Sequence, residues 1–176
     1  MRWTMAVELV AVLAWTGAAV AAENDRAPAP DPTIVQALQA MGLARAEWPR
    51  IEVTDVQRIA DGDKQLGRFA AFRMRGDGVI YVNARHRFYL DAKAGGSDFY
   101  PVLRLASVLR HELQHAKAEH GEADALTAQA KFLRQAMIRI PPERRSNAMA
   151  YIQSIEKTIP AAREWDRTGE YPSVPR

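Results

Sequence analysis

The chain has no cysteine among its 176 residues. That excludes disulfides, thiolate metal sites, iron–sulfur clusters, thiol nucleophiles and a lipid-modified cysteine. Excess charge is also scarce: 24 Lys and Arg stand against 21 Asp and Glu. A net charge of +3 with no basic cluster leaves no electrostatic footprint for nucleic acid. Long hydrophobic runs are equally lacking. The main one, from Ala6 to Val20, is interrupted by Glu8 and falls short of the ~20 apolar residues that a membrane-spanning helix needs. Any chemistry must therefore come from histidine, carboxylates, hydroxyls or a bound metal.

What is present begins with an N-terminal pattern. Met1-Arg2-Trp3, the apolar run and the small residues Ala18-Ala19-Val20-Ala21-Ala22 have the layout of a secretory signal peptide. Residues 1–22 are expected to be that signal, which makes the protein exported, either periplasmic or secreted. A membrane would be touched only through this segment, were it left uncleaved. Residues 23–33 contain Pro28, Pro30 and Pro32 and read as an extended linker. Residues 34–176 are expected to form one domain, since 48% hydrophobic residues in a chain of this length suffice for a single core.

Within that domain the hydrophobic period changes twice. Asp31-Pro32 starts a helix bearing Ile34, Val35, Leu38 and Met41, which Gly42 ends. Alternation then predicts strands at Ile51–Val56, Gly67–Arg75 and Val79–Val82, the last two joined by a Gly76-Asp77-Gly78 hairpin. From Tyr100 onward the period is helical. Val102, Leu105, Leu109 and Leu113 mark one helix; Leu126, Ala130, Leu133, Met137 and Ile140 mark a second, stopped by Pro141-Pro142. A third runs from Glu143 to Ile159, with Pro160 as its terminator. The expected fold is α+β: a small, partly antiparallel sheet with an N-terminal helix, packed on a C-terminal bundle of about three helices.

The segment that carries chemistry is His111-Glu112-Leu113-Gln114-His115, in the middle of the first bundle helix. Histidines at i and i+4 project from one helix face, close enough for both imidazoles to reach one zinc ion. Glu112 between them is placed to take a proton from a water on that ion. With 4 histidines in the chain, the pattern is expected by chance on the order of 0.006 times. A zinc hydrolase needs a third protein ligand and an open position for water. Glu119, His120, Glu122 and Asp124 are near enough in sequence. Glu119, one turn further along a straight helix, points past the ion, and His120-Gly121 reads as the reversing turn, with glycine in the left-handed position. Glu122 shares a helical seam with Leu126, Ala130 and Leu133, whereas Asp124 lies about 200° round from it. A carboxylate on a buried seam calls for a metal or a partner, which selects Glu122.

His111, Glu112, His115 and then Glu122, with Ala125 three residues later, resemble the gluzincin branch of the zincin metallopeptidases. The resemblance spans about Ile51 to Met137 and rests on two short motifs. It implies one zinc per chain on His111, His115 and Glu122, Glu112 as general base, a peptide or protein substrate, and an upstream edge strand, for which Val79–Asn83 is the candidate. The interval from His115 to Glu122 is much shorter than in the large thermolysin-like enzymes, so this would be a minimal version. The metzincin pattern fails, because its glycine would fall at Ala118 and its third histidine at Gly121. The competing expectation is a secreted binding or scaffold protein, in which a metal only clamps two helices. Tyr81, His120 and Tyr151 are candidates for a donor that steadies the oxyanion. His86, between Arg85 and Arg87, could reach a substrate but reads first as a solvated loop residue, and Asp61-Gly62-Asp63 reads as a surface turn rather than a calcium loop.

Overall fold

The structure is a computed structural model, and it describes residues 30–55, 69–73, 78–95, 98–116 and 121–169. The expected signal peptide, the Asp61 turn and the end of the chain lie outside them. So does most of the expected linker. No helix among the described residues is long and apolar enough to cross a membrane.

Helix α1 spans Pro32–Ala40 and begins as the sequence implies. Asp31 Oδ1 accepts the Thr33 and Ile34 N–H groups at 2.8 and 3.3 Å, satisfying two donors that the helix itself cannot. Its second oxygen accepts the Tyr89 hydroxyl at 2.8 Å, tying the helix to a later element. Ile34, Ala37 and Leu38 face the core, and Gly42, at φ +72°, turns the chain away.

Three strands follow: β1 Arg50–Thr54, β2 Ala71–Arg73 and β3 Val79–Asn83. Their order is β1-β3-β2, with β1 parallel and β2 antiparallel to β3. The partly antiparallel sheet is therefore as expected, but β3 is not the edge strand. It lies in the centre, and Val79, Ile80, Val82 and Asn83 are all buried. Its nearly unbroken apolar run is the mark of a strand covered on both faces. On the other side of β3 from β1, the outer strand among the described residues is β2.

Helix α2, Arg87–Ala94, was not foreseen, because only Tyr89 and Ala92 in it are buried and so short a stripe carries little period. Helix α3, Tyr100–Ala116, buries Leu103, Leu105, Ala106 and Leu109 completely. Helix α4 is Glu122–Ala136 and α5 is Arg145–Thr168. Pro160 does not end α5. It sits exposed inside the helix, which runs on to Gly169 at φ +71°. The missing N–H costs a helix bond, but the extra turns bury Ala162 and bring Asp166 onto the start of α4, and that tertiary gain overrides the local rule. The architecture is α+β, with one core between sheet and helices and a smaller one, Ala130, Leu133, Ile152 and Ile155, between α4 and α5.

Candidate metal centre

Two elements bring the site together. Helix α3 presents His111 and His115 one turn apart, and Glu122 is the first residue of α4. The Nε2 atoms of the two histidines are 3.1 Å apart. Glu122 Oε2 lies 3.1 Å from His115 Nε2, and its Oε1 lies 3.5 Å from His111 Nε2. One candidate ligand atom from each of the three residues falls within 4.8 Å of the other two. A tetrahedral ion with bonds of ~2.0–2.1 Å has ligand atoms ~3.3–3.4 Å apart, so the spacing is that of a coordination sphere. These three residues could hold a metal ion.

The start of α4 is built to aim Glu122. Gly121 offers no side chain to cap the helix. Instead Asp166 of α5 reaches over, and its two oxygens accept the N–H groups of Glu122 and Ala123 at 2.9 Å each. Gly121 is at φ −77°, ordinary backbone, and not in the left-handed position expected from the sequence. Glycine matters here for space: a Cβ would fall 2.3 Å from Asp166 Oδ2. Ala125, one turn on, is fully buried, which allows α3 and α4 to approach.

Asp124 is exposed and borders a different cavity, with Arg110 and Gln114. Glu119 and His120 lie outside the described residues. Glu112 does not join the trio, but it is 8% exposed and lines the same cavity, about 620 Å³ in volume. Burial pushes its carboxyl above the usual range, against the pull of His111 and His115. Glu122 goes the other way. Burial opposes ionisation there too, but hydrogen bonds and charge from the two imidazoles outweigh it and bring the group down to about 2. The neighbouring carboxylates thus have separate tendencies, one to hold charge and one to take up a proton.

Four contributors lie outside the His-Glu-x-x-His and Glu122 motifs. Arg73 on β2 lines the cavity, and its Nε is buried without a hydrogen-bond partner among the described residues. Gln129 also lines it, donating to the Tyr151 hydroxyl at 3.1 Å. His86 is no solvated loop residue; it caps α2 by accepting the Phe88 N–H on Nδ1 at 3.2 Å, and it faces the cavity. Asp166 is the fourth. The Pro160 rule hid it, while an arginine, a glutamine and a lone histidine carry no spacing signal at all. Of the expected oxyanion donors, Tyr81 stacks on Phe72 and Tyr151 sits behind Gln129; neither lines the cavity. No family model matches the chain, and no match was found among curated proteins or solved structures.

Proposed function

We propose that the protein is an exported zinc-dependent peptidase of minimal gluzincin type. The observation that carries this reading is the convergence of His111, His115 and Glu122 in a cavity that also contains the buried Glu112. The described residues supply two histidines and one carboxylate, which leaves a fourth position for water, the composition of catalytic rather than structural zinc sites. When bound, zinc would supply Lewis acidity toward the scissile carbonyl and the attacking water. Glu112, whose burial favours proton uptake, takes the water's proton and passes it to the leaving amine. Strand β2 has an edge that no other described strand pairs with, and it contributes Ala71, Phe72 and Arg73 to the cavity wall, so an extended peptide would pair with β2, not with the central β3.

The test is metal analysis of purified protein joined to a general peptidase assay, in the wild type and in Glu112→Gln. About one zinc per chain in both, with activity only in the wild type, supports the proposal. The second reading, a structural clamp, draws on the trio's bridging of α3 to α4. Zinc in both proteins with no peptidase activity in either favours it.

A further inference from the structure

A second cavity, about 590 Å³, lies between α2, α3 and α5. Arg104, from the same helix as the histidines, lines it. Its side chain is only 17% exposed, and its Nε is buried without a hydrogen-bond partner among the described residues. The nearest carboxylate oxygen, Asp91 Oδ2, is 3.8 Å away, beyond hydrogen-bond range. Three rings surround the guanidinium: Phe88 at 4.0 Å, Tyr151 at 5.3 Å and Tyr100 at 5.7 Å. Ring faces attract the charge, but they accept none of the in-plane N–H groups well. A guanidinium has five such donors in a fork that matches a carboxylate. The buried Nε–H has no acceptor among the described residues, which is costly, and a charged acceptor relieves that cost most.

The other charged groups of the cavity narrow what that acceptor can be. Arg144 is already spent on Asp98, Nε to Oδ2 at 2.7 Å, and Asp98 also accepts the Tyr100 N–H. Asp91 is shared loosely between Arg104 and Arg87, at 3.8 and 3.9 Å. Asp91 and Asp98 offset two of the wall's three arginines, which leaves one net positive charge for a singly charged ligand, while Tyr100 and Tyr151 offer apolar surface to an organic body. We propose that this cavity is a binding site for a small organic monocarboxylate, held by the Arg104 fork with its body against Tyr100 and Tyr151. The inference does not rest on the peptidase reading, since it uses none of the metal-site residues.

Benzoate is a suitable probe for the full chain, titrated by calorimetry and by thermal shift at constant ionic strength made up with chloride. Saturable binding is expected, with inorganic phosphate weaker. His115→Ala should bind benzoate as well as the wild type does, which separates this cavity from carboxylate capture by a metal. Arg104→Met should abolish binding. Arg104→Lys, which keeps the charge but loses the fork, should weaken it by about tenfold or more and serves if the methionine variant does not fold. Asp91→Asn removes the competing carboxylate and should tighten benzoate several-fold. The proposal is overturned if benzoate does no more than chloride, if both Arg104 variants bind as the wild type does, or if phosphate binds more tightly. It also fails if Asp91→Asn lowers thermal stability without improving binding, since Asp91 would then be the internal partner.

Discussion

Along one face of α3, Arg104 and His111 stand roughly two turns apart, about 10 Å, and they look into cavities with opposite needs. At one end, two imidazoles and a carboxylate crowd their lone pairs together within 4.8 Å, an arrangement a cation completes. At the other, a guanidinium lies among three rings, its Nε without a partner and with no close anion among the described residues. Phe88 is the wall between them, lining the first cavity while stacking on Arg104. Each end has the group that a ligand of the other sign would pair with. What separates them is where the burden of specification lies: three residues of one helix turn and the head of the next helix at one end, three separate helices at the other.

The largest effects should fall on the cation-seeking end. His111→Ala or His115→Ala each removes one of three ligands and is expected to abolish stoichiometric zinc, checked by elemental analysis after dialysis. Glu122→Ala should weaken zinc and lower thermal stability in its presence, because the ion ties α3 to α4. Asp124→Ala, exposed on another face, should do neither. If Asp124→Ala loses zinc and Glu122→Ala keeps it, the geometry of the trio is misleading. None of these changes should disturb benzoate binding beside Arg104, and a loss there would mean that the two cavities are coupled through Phe88.

Next in size is Glu112→Gln, which should leave zinc content and fold intact and lower peptidase turnover by ~10²–10⁴-fold, the range for a lost general base. It divides the cation end into ligands and base. Zinc analysis and turnover on the same sample read both halves.

The difference between the two ends also explains what could be read from the chain. His111, Glu112 and His115 lie within one helical period, so spacing alone places them together. Glu122 follows from the seam it shares with Leu126 and Leu133. Tyr100 stands one turn before Arg104 on α3, but nothing comparable links Arg104 to Asp91 and Tyr151, because they meet only once α2 and α5 have packed on α3, and α2 itself shows too little burial to announce a helix. The edge strand was misplaced for a related reason: apolar content finds strands, but it does not say which neighbour each one pairs with. Asp166 was hidden because a local rule about proline predicts where a helix tends to stop, whereas the contacts beyond Pro160 decide where α5 does.

A third experiment breaks the aim of the metal end without touching a ligand. A Cβ at Gly121 would meet Asp166 Oδ2 at 2.3 Å, so Gly121→Ala must push the carboxylate off the N–H groups of Glu122 and Ala123. Loss of such a cap costs about 1–2 kcal/mol, and the freed first turn should weaken zinc through Glu122. Asp166→Ala should do much the same. The double variant should cost little more than either single one, because both act on one interaction. Full additivity in denaturant titrations would show that glycine is needed there for some other reason.

The smallest effect should come from the α2 side, through the bond between Asp31 and Tyr89. Burial alone would raise the Asp31 carboxyl above its ordinary 3.8, but the Tyr89 hydroxyl and the two capped N–H groups outweigh it, and the net shift is downward. A carboxyl with a lowered folded-state pKa contributes stability that is fully present above its unfolded value and disappears as pH falls through the folded one. Tyr89 is shifted the opposite way, pushed up to about 12 by burial first and then by the Asp31 carboxylate. The folded state keeps a proton that the unfolded chain gives up near pH 10, so this contribution is complete below pH 10 and is lost as pH rises toward 12. Tyr89→Phe removes the titrating hydroxyl and should take away the share of the alkaline limb that Tyr89 contributes, leaving that of Tyr100 and Tyr151, whose hydroxyls burial also pushes up, while weakening the acid limb in part, since Asp31 keeps its two backbone donors. Asp31→Asn should erase the acid limb that Asp31 contributes and only soften the alkaline one. Urea midpoints between pH 2 and 11 on the metal-free protein would read both limbs. An alkaline limb unchanged in Tyr89→Phe would place the responsible group elsewhere and leave α1 and α2 joined by packing alone.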